Sequence, residues 1–115
     1  MQAGDLKDRV TIEVRGKKSD GSDGYVEAWS PVRRRISADV ANLSGRELER
    51  GRQIDARATH QVSVRYWSMY RSELTAHVRI VFHDGVHNRL LEPVEPIREV
   101  EDREKLQVIC REASK

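Results

Sequence analysis

The sequence predicts a mainly β fold, a small antiparallel β-barrel with one short helix in a long inserted loop. Two observations carry this. Apolar and polar residues alternate at 10–14, 36–40, 62–66, 78–82 and 106–110, the two-residue period of half-buried strands. Turn residues separate these runs, and only the stretch after Ser44 breaks the period. Short strands with regular turns favour a barrel or sandwich, and closure removes exposed edges.

The first strand places Val10, Ile12 and Val14 on one face. Residues 16–24 contain three glycines and no apolar side chain, so 16–25 is expected to be a flexible loop. Tyr25, Val26 and Trp29 form a short apolar patch that Pro31 interrupts. Ile36, Ala38 and Val40 then mark a second long strand, with Arg33, Arg34 and Arg35 at its entrance.

Ser44-Gly45-Arg46-Glu47 matches a capping box, in which the hydroxyl and Glu47 satisfy helix N-terminal amides reciprocally. The pattern predicts a short helix to about Arg57 within a loop spanning 44–59. Leu48 and Ile54 are its only large apolar residues, and an interior Gly51 costs about 1 kcal/mol relative to Ala. Arg46, Arg50 and Arg57 fall on one helical face and are expected to be solvent-exposed. So weak a helix is expected to order only against a neighbour.

Strand patterning returns at Val62, Val64 and Tyr66, and again at Val78, Ile80 and Phe82. Asp84-Gly85 reads as a type I′ hairpin turn, leading into a strand over Val86–Leu91. At Pro93 and Pro96 the chain is expected to follow an edge or leave the sheet. Leu106, Val108 and Cys110 form the last strand.

A chain of 115 residues with 37% hydrophobic and 35% charged residues makes one thin-cored domain, 1–115. A domain this small buries only about two-thirds of its unfolded surface. Net charge is +2 with both signs mixed along the chain, so nucleic-acid binding does not follow from global charge. The single cysteine, Cys110, rules out an internal disulfide and sits in an apolar run, where a buried small side chain is expected. No stretch has a signal-peptide pattern or the length of a membrane span, so a reducing cytoplasm is the expected site of synthesis.

The search for chemistry returns little. His77, His83 and His87 cluster about the expected hairpin, but no cysteine and no carboxylate other than Asp84 completes a metal set. No nucleophile elbow and no phosphate-binding loop is present. No catalytic residue, metal or cofactor is therefore expected, and the chain is read as not an enzyme. The residues singled out for interaction are Arg33, Arg34, Arg35, Arg46, Arg50 and Arg57. A nucleic-acid-binding barrel is the alternative, since Tyr25, Trp29, Tyr66, Trp67 and Tyr70 accompany the arginines.

The order of motifs resembles the head closure, or head–tail joining, adaptor proteins of long-tailed phages. Gly4-Asp5-Leu6-Lys7-Asp8-Arg9-Val10-Thr11-Ile12 opens the chain, and an Asp-Gly-rich loop from Asp20 to Gly24 leads to Trp29. The most specific stretch is Ala38-Asp39-Val40-Ala41-Asn42-Leu43-Ser44-Gly45-Arg46-Glu47, followed by Val62-Ser63-Val64-Arg65-Tyr66 and the hairpin after Val78. The resemblance implies a virion neck protein at the head–tail interface that forms a ring below the portal and its adaptor. There it would help retain packaged DNA and offer a docking surface to the tail. Implied partners are the adaptor or connector protein, the portal complex, a tail terminator or tail-tube protein, further copies of itself and, non-specifically, DNA in the channel. No membrane partner is implied.

Overall fold

The structure is a computed structural model that describes residues 6–19, 21–22, 24–74 and 77–113, with Lys17 to Ser19 described by backbone alone. Gly4 and Asp5 of the opening motif, and Asp20 and Asp23 of the expected loop, lie outside the described residues.

Among the described residues, seven strands and two short helices follow one another as β1 (Asp8–Ser19), β2 (Tyr25–Asn42), α1 (Gly45–Ile54), β3 (His60–Arg65), α2 (Tyr70–Glu73), β4 (Val78–His83), β5 (Asn88–Pro93), β6 (Arg98–Val100) and β7 (Lys105–Glu112). The sheet order is β3-β2-β1-β4-β5-β7-β6, and β3 pairs with β7 to close a barrel. β5 and β6 lie along different halves of β7. The interior is filled by the period-two residues: Val10, Ile12, Ala38, Val62, Val64, Ile80, Phe82, Leu91, Leu106, Val108 and Cys110. Burial pushes the Cys110 thiol well above its ordinary pKa.

β7 is buried on both faces. Leu106, Val108 and Cys110 point inward, while Ile109 joins Leu43 and Ala58 in a second cluster, with Leu48 and Val94 packed against it. α1 sits on this outer cluster through Gly51, where an added Cβ would lie 2.9 Å from Leu43 Cδ1 and 3.3 Å from Ala58 Cβ. The glycine that weakens the helix is what lets its backbone reach the barrel. The segment expected to need a neighbour for order therefore has a seat within its own chain.

The structure corrects several sequence-based expectations. The first two strands stay paired as far as Ser19↔Tyr25, so half of the expected flexible loop, 16–19 and Tyr25, is part of a two-stranded ribbon. Pairing with β4 stops at Val14↔Val78, and the ribbon leaves the barrel beyond that point. A ladder needs no apolar face to continue from an anchored pair, which is why composition misled. Pro31 does not interrupt β2, because β3 covers only Ala38–Asn42 and the edge at Pro31 is open. Pro93 likewise belongs to β5. The expected capping box is absent, since Ser44 makes no side-chain cap bond. α1 stops at Ile54, so Arg57 lies past its end rather than on a face with Arg46 and Arg50. The hairpin turn is centred on Gly85-Val86, with positive φ only at Gly85, which is not the type I′ pattern. Asp84 Oδ1 accepts from the Val86 and His87 amides and holds its carboxyl below the usual range.

Candidate interaction surface

Among the described residues no group of three or more His, Cys, Asp or Glu could hold a metal ion, and no helix is long and apolar enough to cross a membrane. The chemistry of the surface is that of arginine, and the arginines fall into two kinds.

The first kind is neutralised. On α1, Arg50 reaches Glu95 with Nη1–Oε2 at 3.1 Å and Nη2–Oε1 at 3.4 Å. The Glu95 carboxylate is only 9% exposed, lies 3.3 Å from Arg98 Nε, and accepts from the Ile109 amide at 3.3 Å. It ties α1, the segment before β6, and β7 together. Arg57 pairs with Asp55 at 3.5 Å. Arg46 is exposed. So the expected exposed stripe of Arg46, Arg50 and Arg57 is not assembled, and Arg50 is a half-buried structural ion pair.

The second kind is concentrated at the entrance to the barrel part of β2. Between Val10↔Ile36 and Ile12↔Arg33 the register slips, leaving Arg34 and Arg35 opposite Thr11. Such a bulge re-aims side chains. Arg35 adopts φ 47, a left-handed conformation uncommon outside glycine. Its amide donates to Thr11 Oγ1 at 3.1 Å. Thr11 Oγ1 in turn lies 2.8 Å from His83 Nε2, and His83 Nδ1 lies 2.8 Å from Asn88 Oδ1. Thr11 and Asn88 hold the His83 ring between them, so His83 buttresses the bulge across the sheet.

Beside the bulge is an open groove of about 480 Å³ lined by Arg9, Arg33, Arg35, Ile36, Ser37, Arg65, Tyr66 and Trp67. Its floor is rigidly held. Arg33 lies over the Trp67 ring at 4.8 Å and pairs with Glu73 at 2.8 Å. Trp67 Nε1 donates to Glu73 Oε2 at 3.0 Å. Tyr70 packs edge-on against both Tyr66 and Trp67, and its hydroxyl donates to Glu99, which also pairs with Arg71 at 3.0 Å. These bonds hold the Glu99 carboxyl below, and the Tyr70 hydroxyl above, their ordinary pKa values.

At the rim, Arg9 donates to Ser37 Oγ. Arg9, Arg35 and Arg65 are exposed and, among the described residues, have no carboxylate partner. Of the expected interaction residues, Arg33 and Arg35 line this groove, Arg34 lines a neighbouring surface with Glu13 and Pro31 that Arg35 also borders, and the α1 arginines are elsewhere. Sequence reasoning missed Arg9 and Arg65. Each stands alone in sequence, and only the β1–β2–β3 register brings them together. A larger cavity of about 590 Å³ lies between α2, the start of β4 and the stretch from Pro93 to Ile97, but its carboxylate, Glu95, is already committed to Arg50 and Arg98.

The chain matches the family model described as phage head completion protein over residues 1–113. It is 29% identical over 112 residues to head completion protein gp7 of Enterobacteria phage HK97, covering 96% of each chain. It is also similar to the solution structure of protein SF1141 from Shigella flexneri 2a, with a TM-score of 0.77, 25% identity, and coverage of 99% of this chain and 98% of that one. A whole-chain family match and a closed barrel spanning the same residues lead to one conclusion: this chain belongs to the phage head completion protein family.

Proposed function

We propose that the protein is a structural subunit of the virion neck, assembling as a ring below the portal and its adaptor, helping to retain packaged DNA and giving the tail its docking surface. The observation that carries this reading is the family match from end to end of the chain. The architecture suits it. A ring needs head-to-tail contacts that close, and this barrel presents different surfaces at different places: a ribbon leaving the sheet, a docked helix, and a basic groove. The partners under this reading are the adaptor or connector, the portal complex, a tail terminator or tail-tube protein, and other copies of the chain. Disrupting the gene is expected to leave filled or leaking heads beside finished, unattached tails, and supplying the protein in trans should restore joined particles. Normal yields of joined particles without the protein would refute the role.

The alternative is a nucleic-acid-binding barrel, favoured by the meeting of arginines and aromatics in one groove. Purified protein should then bind oligonucleotides with a steep salt dependence.

A further inference from the structure

We propose that the groove takes an acidic, partly apolar segment of another protein chain. Arg9, Arg35 and Arg65 would meet its carboxylates, and Ile36, Tyr66 and Trp67 would receive its apolar side chains. The proposal names the chemistry of one partner under the assembly role above and rests on that role.

Charge complementarity is the first argument. Arginines elsewhere on the barrel, such as Arg50, Arg79, Arg89 and Arg111, are matched by carboxylates within 3.1 Å. The three at this rim have no carboxylate partner among the described residues; Arg34, Arg46 and Arg52 have none there either, but Arg9, Arg35 and Arg65 converge on one cavity. Arg65 even stands directly opposite Lys105 in the β3–β7 ladder, a like-charge juxtaposition that the Lys105–Glu101 pair at 3.2 Å relieves only in part. Holding Arg35 at positive φ adds strain. An anionic partner offsets the charge crowding.

The lining decides which anion. Trp67 is covered by Arg33 on one side, engaged by Tyr70 at 75°, and has its ring N–H committed to Glu73. That leaves no continuous aromatic platform for successive bases, which single-strand binders require. What remains is an apolar floor inside a ring of guanidinium groups. Buried aromatic and arginine side chains of this kind anchor protein–protein contacts, and the fork of Arg matches carboxylate geometry.

The test is a titration of isotopically labelled full-length protein followed by NMR. The probes are a short peptide of glutamates interspersed with leucines, and a DNA oligonucleotide of equal charge. The Trp67 indole and the Arg35, Ile36 and Tyr66 amides are expected to shift saturably with the peptide. Arg35→Glu and Arg65→Glu should each weaken binding by about tenfold without unfolding the protein. Unchanged affinity in both variants would overturn the proposal, as would tighter binding of the oligonucleotide to the same residues. In particles, the same two variants should fail to restore joining in a strain lacking the protein. Full restoration by both, where the empty control is defective, sinks the groove proposal alone. Joined particles in the empty control sink the assembly role itself.

Discussion

Two arginine-bearing surfaces of this barrel look alike in sequence and differ in physics. On α1, Arg50 is half of a partly buried ion pair whose carboxylate, Glu95, also caps the Ile109 amide. At the β2 bulge, Arg35 and Arg65 stand at a groove rim without carboxylate partners among the described residues. The first surface is held by its own chain. The second carries a left-handed Arg35 and a like-charge cross-strand pair, Arg65 opposite Lys105, that Glu101 relieves only in part. A surface that is costly alone and complementary to something absent is where a partner is to be sought.

If the α1 side is structural, removing its seat has the largest effect. Ile109→Ala deletes the side chain beneath Gly51 and is expected to cost about 3 kcal/mol, as for other buried Ile or Leu truncations, read as a drop in denaturation midpoint. Hydrogen exchange in α1 should rise with it. A loss below about 1 kcal/mol would mean that α1 is not seated there. Glu95→Ala comes next, at about 2 kcal/mol, because it strands the Ile109 amide and two guanidinium groups together. Arg50 and Arg98 are 41% and 40% exposed, so water re-solvates them and keeps the loss below that of a fully buried pair.

Much of the fold was legible because barrel interiors obey a period of two. Val10, Ile12, Ala38, Val62, Val64, Ile80, Phe82, Leu106, Val108 and Cys110 were all placed by alternation and are all buried. Two stretches of the family resemblance prove to touch: Asp8 pairs opposite Ala38, and its carboxylate accepts from the Val40 amide at 2.9 Å. The three-residue β6 and the four-residue α2 were missed, being too short to show a period. The ribbon was missed because its pairing is backbone pairing, to which Gly16 and its neighbours contribute no apolar signal. The groove was half legible. The Arg33–Arg35 run announced itself, while Arg9 and Arg65 reach it only through the register of three strands. What sequence could not give was pairing: nothing in the order of residues says that Arg50 finds Glu95, 45 positions away, and that Arg65 finds no carboxylate among the described residues.

Arg50→Glu therefore separates the structural reading of α1 from the expectation of an idle solvated face. It sets a like charge beside Glu95 and should cost about 1 kcal/mol, part of it screened by salt. A solvated arginine would give no change within about 0.5 kcal/mol. Measuring thermal unfolding at low and high ionic strength resolves the two, because the cost of an apposed like-charge pair falls as salt is added.

The same substitution on the other surface should have the smallest effect on stability, and the opposite sign. Arg65 is exposed, stands opposite Lys105, and shares its groove with Arg9, Arg33 and Arg35. Arg65→Glu replaces a repulsive cross-strand pair by an attractive one. Cross-strand charge pairs are worth roughly 0.2–1 kcal/mol, and Lys105 already pairs with Glu101 at 3.2 Å, so a gain of about 0.3 kcal/mol is expected, shrinking with salt. Binding sites commonly hold stability below its optimum for the sake of function, so the variant should be marginally more stable and fail to join particles. A destabilisation above about 1 kcal/mol would make Arg65 a structural residue like Arg50. The contrast between the two surfaces would then collapse, because both would be ordinary parts of the fold and neither would be waiting for a partner.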